Sequence, residues 1–261
     1  MQLGMIAPVW EQSFKEAKSK GLAFLEFCLN VGYDCKPFFQ DVPKIKQWQE
    51  KYGIKVQSIG RWATNKFTEQ GEVIQDELEI NQRLIETAGE LGCPNYICGV
   101  NYLKDLSLYN NAGLAIDYLS NLLNTAEKYG VKVAVYNCRW NNWIVDPRSW
   151  ELICGHLPQL GIKFDPSHSI YAGGDYLQEI RDWGKRIYHF HIKGSLPIDG
   201  IRFDDPPAGL DVTNWGAIIA ILYAQKYEGG LSIEPHSVNW EGDLGERGLD
   251  FAINYVKRFL L

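Results

Sequence analysis

Eight short runs of aliphatic, β-branched and aromatic residues recur along the chain, separated by longer stretches with helical spacing. The runs fall at about residues 2–7, 22–28, 54–59, 94–99, 131–137, 161–165, 187–193 and 230–234, the lengths of buried strands. Between them, DVPKIKQWQEKYG, EVIQDELEINQRLIETAGELG, AIDYLSNLLNTAEKYG and TNWGAIIAILYAQKYEG place apolar residues at i, i+3 and i+4, as amphipathic helices do. Several of these stretches close on glycine (Gly21, Gly53, Gly92, Gly130 and Gly229), the residue favoured just past a helix because it accepts φ > 0 without a Cβ clash. A strand–helix unit repeated eight times, at roughly 33 residues per unit, predicts a (β/α)8 barrel; the usual size for that fold is about 250 residues. A single domain spanning residues 1–261 is expected. No GxGxxG follows the first run, which argues against a doubly wound dinucleotide fold.

In such a barrel the chemistry belongs to the C-terminal strand ends, where the loops converge. Three late runs each end in metal-ligating residue types. IKFDPSH contributes Asp165 and His168, IYHFHIKG contributes His189 and His191, and LSIEPHS contributes Glu234 and His236. Carboxylate and neutral imidazole groups on a rigid frame are what a divalent cation takes. Strand alternation puts Ser232 and Glu234 on one inward face, and Ala134 and Tyr136 on another. Tyr136 is therefore predicted to point inward, at the ion. An inward carboxylate such as Glu234 requires a cation or a positive partner. Lys193 is that partner in a metal-free protein. His189 lies two residues deeper than His191 and reads as a histidine hydrogen-bonded inside the barrel, and Asp165 before Pro166 also has the plain reading of a turn cap.

Charge and composition narrow the partners. A net charge of -6 opposes binding to nucleic acid or an anionic membrane surface, which needs clustered Lys and Arg. MQLGMIAPVWEQ lacks the basic start and apolar stretch of a signal peptide, and no window approaches a membrane span, so a cytoplasmic location is expected. Six scattered cysteines without CxxC pairing suit reduced, buried thiols. Trp10, Trp62, Trp140, Trp143 and Trp240 follow strands on the catalytic side, where indoles either stack on sugar C–H faces or pack loops. Arg139 and Arg202 are candidates for an anionic substrate group, but without a Gly-rich cradle a phosphorylated substrate is not favoured.

The segments FDPSH (164–168), HFHIKG (189–194), DDPPAGLDVTNW (204–215) and SIEPHS (232–237) resemble the xylose isomerase-like barrel superfamily, the sugar-phosphate isomerase and epimerase group. The resemblance covers nearly the whole chain. It implies a divalent metal ion (Mn, Mg, Co or Zn) on Asp165, His191 and Glu234, with His168 as a supporting or substrate-binding histidine. It also implies a small sugar substrate met by Glu26, Trp62, Asn137, Arg139, Lys193 and His236, with Glu26 alternatively paired to Arg61. The family's fourth ligand is a strand-five Glu in a pattern like GVxLALEN. Here that segment reads GVKVAVYN, and Tyr136 takes the place of the Glu. Gly194 likewise stands where an Asp often follows the family's His-x-Lys.

With one carboxylate missing, two-base epimerisation loses a group of a kind that contributes about 10²- to 10⁴-fold. The expected catalytic residues are Glu234 as base, His168, and Tyr136 as acid or hydrogen-bond donor. Isomerisation through an enediol, or elimination from a keto-sugar or 3-oxo-glycoside, needs only one face and stays open to Glu234. The competing reading is a barrel that has lost catalysis and binds a sugar or a partner. A repair nuclease of the same superfamily needs more than the five histidines present. Assembly into a homo-oligomer is left open.

Overall fold

The eight apolar runs become eight parallel strands in the computed structural model, which describes residues 1–261. These are β1 (Gln2–Ile6), β2 (Phe24–Asn30), β3 (Lys55–Trp62), β4 (Asn95–Cys98), β5 (Lys132–Tyr136), β6 (Gly161–Phe164) and β7 (Ile187–Ile192), followed after a hairpin by β10 (Gly230–Ile233). The hairpin consists of β8 (Leu196–Ile198) and β9 (Ile201–Asp204). The order β1-β10-β7-β6-β5-β4-β3-β2 closes on itself, so the fold is a TIM barrel. No helix is long and apolar enough to cross a membrane. All six cysteines are free thiols.

Alternation along the strands divides the packing into two regions. Val133 and Val135 join the large core cluster of 57 residues, while Ala134 and Tyr136 join a small cluster with Trp62 and Ile97. β2 and β3 run further than their hydrophobicity predicts because they pair from Phe24↔Lys55 up to Asn30↔Trp62. Their extra length brings Trp62 to the mouth.

Helix ends follow the glycine signals at four positions. Gly53 and Gly130 cap their helices at φ 68° and 66°, and Gly21 and Gly92 also adopt positive φ. Gly229 does not: its helix ends at Ala224, and Lys226 takes the left-handed position at φ 57°. Gly229 is needed for close approach, since a Cβ there would stand 2.4 Å from the Tyr227 hydroxyl. The β8–β9 hairpin turns at Asp199 and Gly200, both at positive φ, the Asp-Gly signature of a two-residue turn.

The anticipated Glu26–Arg61 pair does not form. Arg61 instead binds Glu77 through two nitrogens at 3.2 and 3.1 Å, and Lys66 joins them at 2.8 Å. Burial alone would raise the Glu77 pKa, but Lys66 and Arg61 hold it down at about 2. This network braces the first turns of helix Gln75–Glu90 against the end of β3.

Candidate active site

Asp165 leaves β6 as the cap of the short helix Pro166–Tyr171, its Oδ1 accepting the Ser167 N–H at 2.9 Å. The turn-cap reading is therefore met, and it consumes only one oxygen. Asn137, just past β5, clamps the same residue from both sides: its Oδ1 accepts the Asp165 N–H at 3.0 Å, and its Nδ2 donates to the Asp165 carbonyl at 2.9 Å. Asn137 is thus a positioning residue, buried and bonded to backbone, and it does not line the cavity where a substrate contact was expected. Asp165 Oδ2 is left without a hydrogen-bond partner. Around it stand His168 Nε2 at 3.3 Å, Lys193 Nζ at 3.4 Å and Lys163 Nζ at 3.7 Å. Burial opposes ionisation of Asp165, yet the Lys193 and Lys163 ammonium groups keep its carboxyl well below the usual range.

His191 bridges two carboxylates. Its Nδ1 lies 2.5 Å from Glu234 Oε2, and its Nε2 lies 3.0 Å from Glu26 Oε2. His189 occupies the deeper position expected of it, with Nε2 2.7 Å from Glu26 and 3.2 Å from Ser232 Oγ. Burial lowers the pKa of His189; for His191 the desolvation is outweighed by Glu26 and Glu234, and its pKa is raised. Glu26 is completely buried beneath both rings, so it orients histidines and does not reach substrate as expected. Glu234, directly after β10, is held well below the carboxylate range despite its desolvation, chiefly by Lys193 and His191. Burial drops the His168 pKa to about 3, which makes this ring a neutral imidazole.

A cavity of about 210 Å³ opens over this floor, lined by Trp62, Lys163, His168, His191, Lys193 and Glu234 with Trp140 and His236 at its edge. Drug-sized sites run to roughly 300–1,000 Å³, so this one suits a smaller molecule. Of the tryptophans singled out by sequence, Trp62 and Trp140 line it. Trp10 is exposed, Trp143 packs on the core, and Trp240 donates to Asp204 at 3.2 Å. His236 binds Asp205 at 3.0 Å and comes only within 4.0 Å of Glu234. Arg139 is an exposed partner of Asp146 at 3.6 Å and does not line the cavity. Arg202 pairs with Asp205.

Tyr136 points into the barrel as parity requires, but its hydroxyl is committed elsewhere. The ring stacks on Trp62 with centroids 4.2 Å apart at 26°, while the hydroxyl donates to the Trp140 carbonyl at 3.0 Å and accepts the Ala63 N–H at 3.1 Å. Ala63 holds φ 60°, a conformation unfavourable for a non-glycine residue, and this bond helps pin it. Desolvation raises the phenol pKa further above its normal value. The expected role as a catalytic acid is corrected to that of a tie between the loops after β3 and β5. Tyr136→Phe should cost about 1–3 kcal/mol by stranding the buried Ala63 N–H, with turnover per folded molecule unchanged. Denaturant unfolding beside an activity assay checks both parts.

Lys163 went unnoticed in the sequence although a signal was present. It shares the inward parity of Asp165, two residues on, and is a charge in the middle of the apolar run GIKF. The parity rule that places Tyr136 and Glu234 places Lys163 too.

Two groups of side chains have the spacing to hold a cation: Asp165, His191 and Glu234, and Glu26, His189 and His191, each with ligand atoms within 4.8 Å of one another. The first is the expected set, whereas His189 of the second is expected as a structural residue.

Residues 14–255 match the sequence model of the xylose isomerase-like TIM barrel family. The uncharacterized protein YfiH of Bacillus subtilis (strain 168) is 25% identical over 221 residues, covering 68% of this chain and 70% of that one. Among solved structures, 3-keto-D-glucoside 4-epimerase YcjR from E. coli superposes with a TM-score of 0.78 at 16% identity, covering 99% of both chains. D-psicose 3-epimerase from Clostridium cellulolyticum H10 gives 0.81 at 14% identity, over 100% of this chain and 99% of that one. At such identities the structural likeness speaks for the fold. With its closed barrel and a match running almost end to end, the chain belongs to the xylose isomerase-like TIM barrel family.

Proposed function

We propose that this protein is a sugar isomerase- or epimerase-like enzyme that moves a proton next to the carbonyl of a sugar or sugar-derived ketone. The observation that carries the reading is Glu234, a carboxylate on the wall of a small cavity that Lys163 and Lys193 also line. Two structural relatives are named for epimerisation of a 3-keto-glucoside and of a ketohexose, in keeping with a carbonyl-bearing substrate.

Glu234 Oε takes the proton from the carbon beside the carbonyl, and negative charge gathers on the carbonyl oxygen. Lys193 and Lys163 donate hydrogen bonds to that oxygen from the cavity floor, where preorganised donors stabilise developing charge. His191, raised in pKa and fixed by Glu26, donates to Glu234 and holds it in place. Neutral His168 passes a proton between neighbouring substrate oxygens. Trp62 offers a flat face to sugar C–H groups. Tyr136 being tied to backbone, proton return falls to the face that Glu234 serves, which favours isomerisation or elimination over inversion.

The family resemblance implies a divalent cation, and Asp165, His191 and Glu234 converge closely enough to touch one. The charge around them does not fit it. No carboxylate comes from β5, and Asp165 Oδ2, the oxygen free to bind, already faces two ammonium groups.

Deuterium exchange tests the function. Incubated in D2O with ketohexoses and 3-keto-glucosides, the protein should erase the NMR signal of the C–H beside the carbonyl in at least one of them. Exchange no faster than in buffer across that panel would leave the binding-barrel reading in its place.

A further inference from the structure

We infer that this barrel carries its own cations: the ammonium groups of Lys163 and Lys193 take the place of a divalent metal at Asp165 and Glu234. The inference rests on the functional reading above, since it names what stabilises charge at the same site.

Register supplies the first observation. Tyr136 of β5 pairs directly with Lys163 of β6, so an ammonium stands beside the position where a carboxylate ligand is missing. The whole Lys163 side chain is buried, and its nitrogen reaches the cavity over the Trp62 ring, 5.0 Å from the centroid. The nearest carboxylate oxygen, on Asp165, is 3.7 Å away, beyond hydrogen-bond distance. No protein group accepts a hydrogen bond from this nitrogen, so its donors are open to a ligand oxygen in the cavity. Lys193, equally buried, approaches the same Asp165 oxygen to 3.4 Å from the next strand.

Charge bookkeeping supplies the second. Asp165 and Glu234 stand against Lys163 and Lys193, two acidic and two basic side chains gathered at the floor of one cavity. A divalent ion added to Asp165 Oδ2 would sit among two ammonium groups and bring an excess of positive charge into a buried site, where opposing charges are weakly screened. The two lysines therefore do by hydrogen bonding and fixed charge what a Lewis acid does: they hold the oxygen on which charge develops while Glu234 carries the proton. No redox step and no co-reactant is involved.

The test measures metal directly. Purified protein, expressed in metal-replete medium, is analysed for bound metals, and its melting midpoint is followed against Mn2+, Mg2+, Co2+ and Zn2+. Wild type should hold no stoichiometric metal and show no shift, whereas Lys163→Met, which removes one ammonium at similar volume, should bind Mn2+ or Zn2+ at least about tenfold more tightly. Lys193→Met serves as the second variant if the first does not fold. One tightly held divalent ion per wild-type chain, or equal cation affinity in wild type and variant, overturns the inference. Failure here is separable from failure of the function: sugar C–H exchange abolished by EDTA keeps the enzyme and removes the built-in cations. Absent exchange in a metal-free protein does the reverse.

Discussion

Glu234→Gln should remove the proton-transferring group and lower kcat per folded molecule by about 10²- to 10⁴-fold, with a fall in the melting midpoint as well, because the charge facing Lys193 and His191 goes with it. Glutamine keeps the size of the side chain and an acceptor for His191, so the cavity floor is preserved while the base is lost. The pH profile adds a second readout. Since Lys193 and His191 hold the Glu234 carboxyl well below its ordinary range, the acid limb of kcat in wild type should lie below the pH at which a free glutamate protonates. A variant retaining near-wild-type kcat on the exchanging sugar would remove Glu234 from the reaction.

Asp165→Asn is expected to give the largest loss of stability of any single change at the site, about 3–5 kcal/mol. Asparagine retains an oxygen to cap the helix at Ser167, so the substitution isolates the charge. What it strands are Lys163 and Lys193, both buried and both within 4 Å of the lost oxygen. Urea unfolding of the single variant and of Asp165→Asn with Lys163→Met closes a double-mutant cycle, and the second change should recover part of the loss. A cost below about 1 kcal/mol for the single variant would mean that the ammonium groups draw their counter-charge elsewhere.

Much of the barrel is legible because its signals are local. Strand runs, amphipathic stretches and four of five glycine helix ends follow from residue order alone, since each reflects a backbone preference or a periodicity over a few residues. Gly229 misled because a close approach to Tyr227 and a helix end demand the same residue for different reasons. The hairpin after β7 carried its Asp-Gly mark in the chain but sat outside the repeating unit, where the strand–helix alternation gave no cause to look.

At the site, residue types and strand ends were readable while partners were not. Parity along a strand tells which way a side chain leaves the backbone, and by that rule Asp165, His191, Glu234 and Tyr136 all turn inward. It does not tell what the far end of the side chain meets. Glu26 was read as a substrate contact or a partner of Arg61 and is neither, because closure of β1 between β2 and β10 carries its carboxylate beneath His189 and His191. Tyr136 reaches inward only to meet the backbone of Ala63 and Trp140, residues brought over it by loops from two other units.

Order along the chain thus determined the eightfold unit, the family and the set of ionisable groups at the mouth, all set by short-range preferences. Tertiary closure alone decided which charges neutralise which. Lys163 and Lys193 belong to neighbouring strands and meet at one oxygen of Asp165 because the staggered register of a closed barrel brings inward side chains of different strands to a common depth. Electrostatic balance in a desolvated space depends on those few ångströms, which no periodicity encodes.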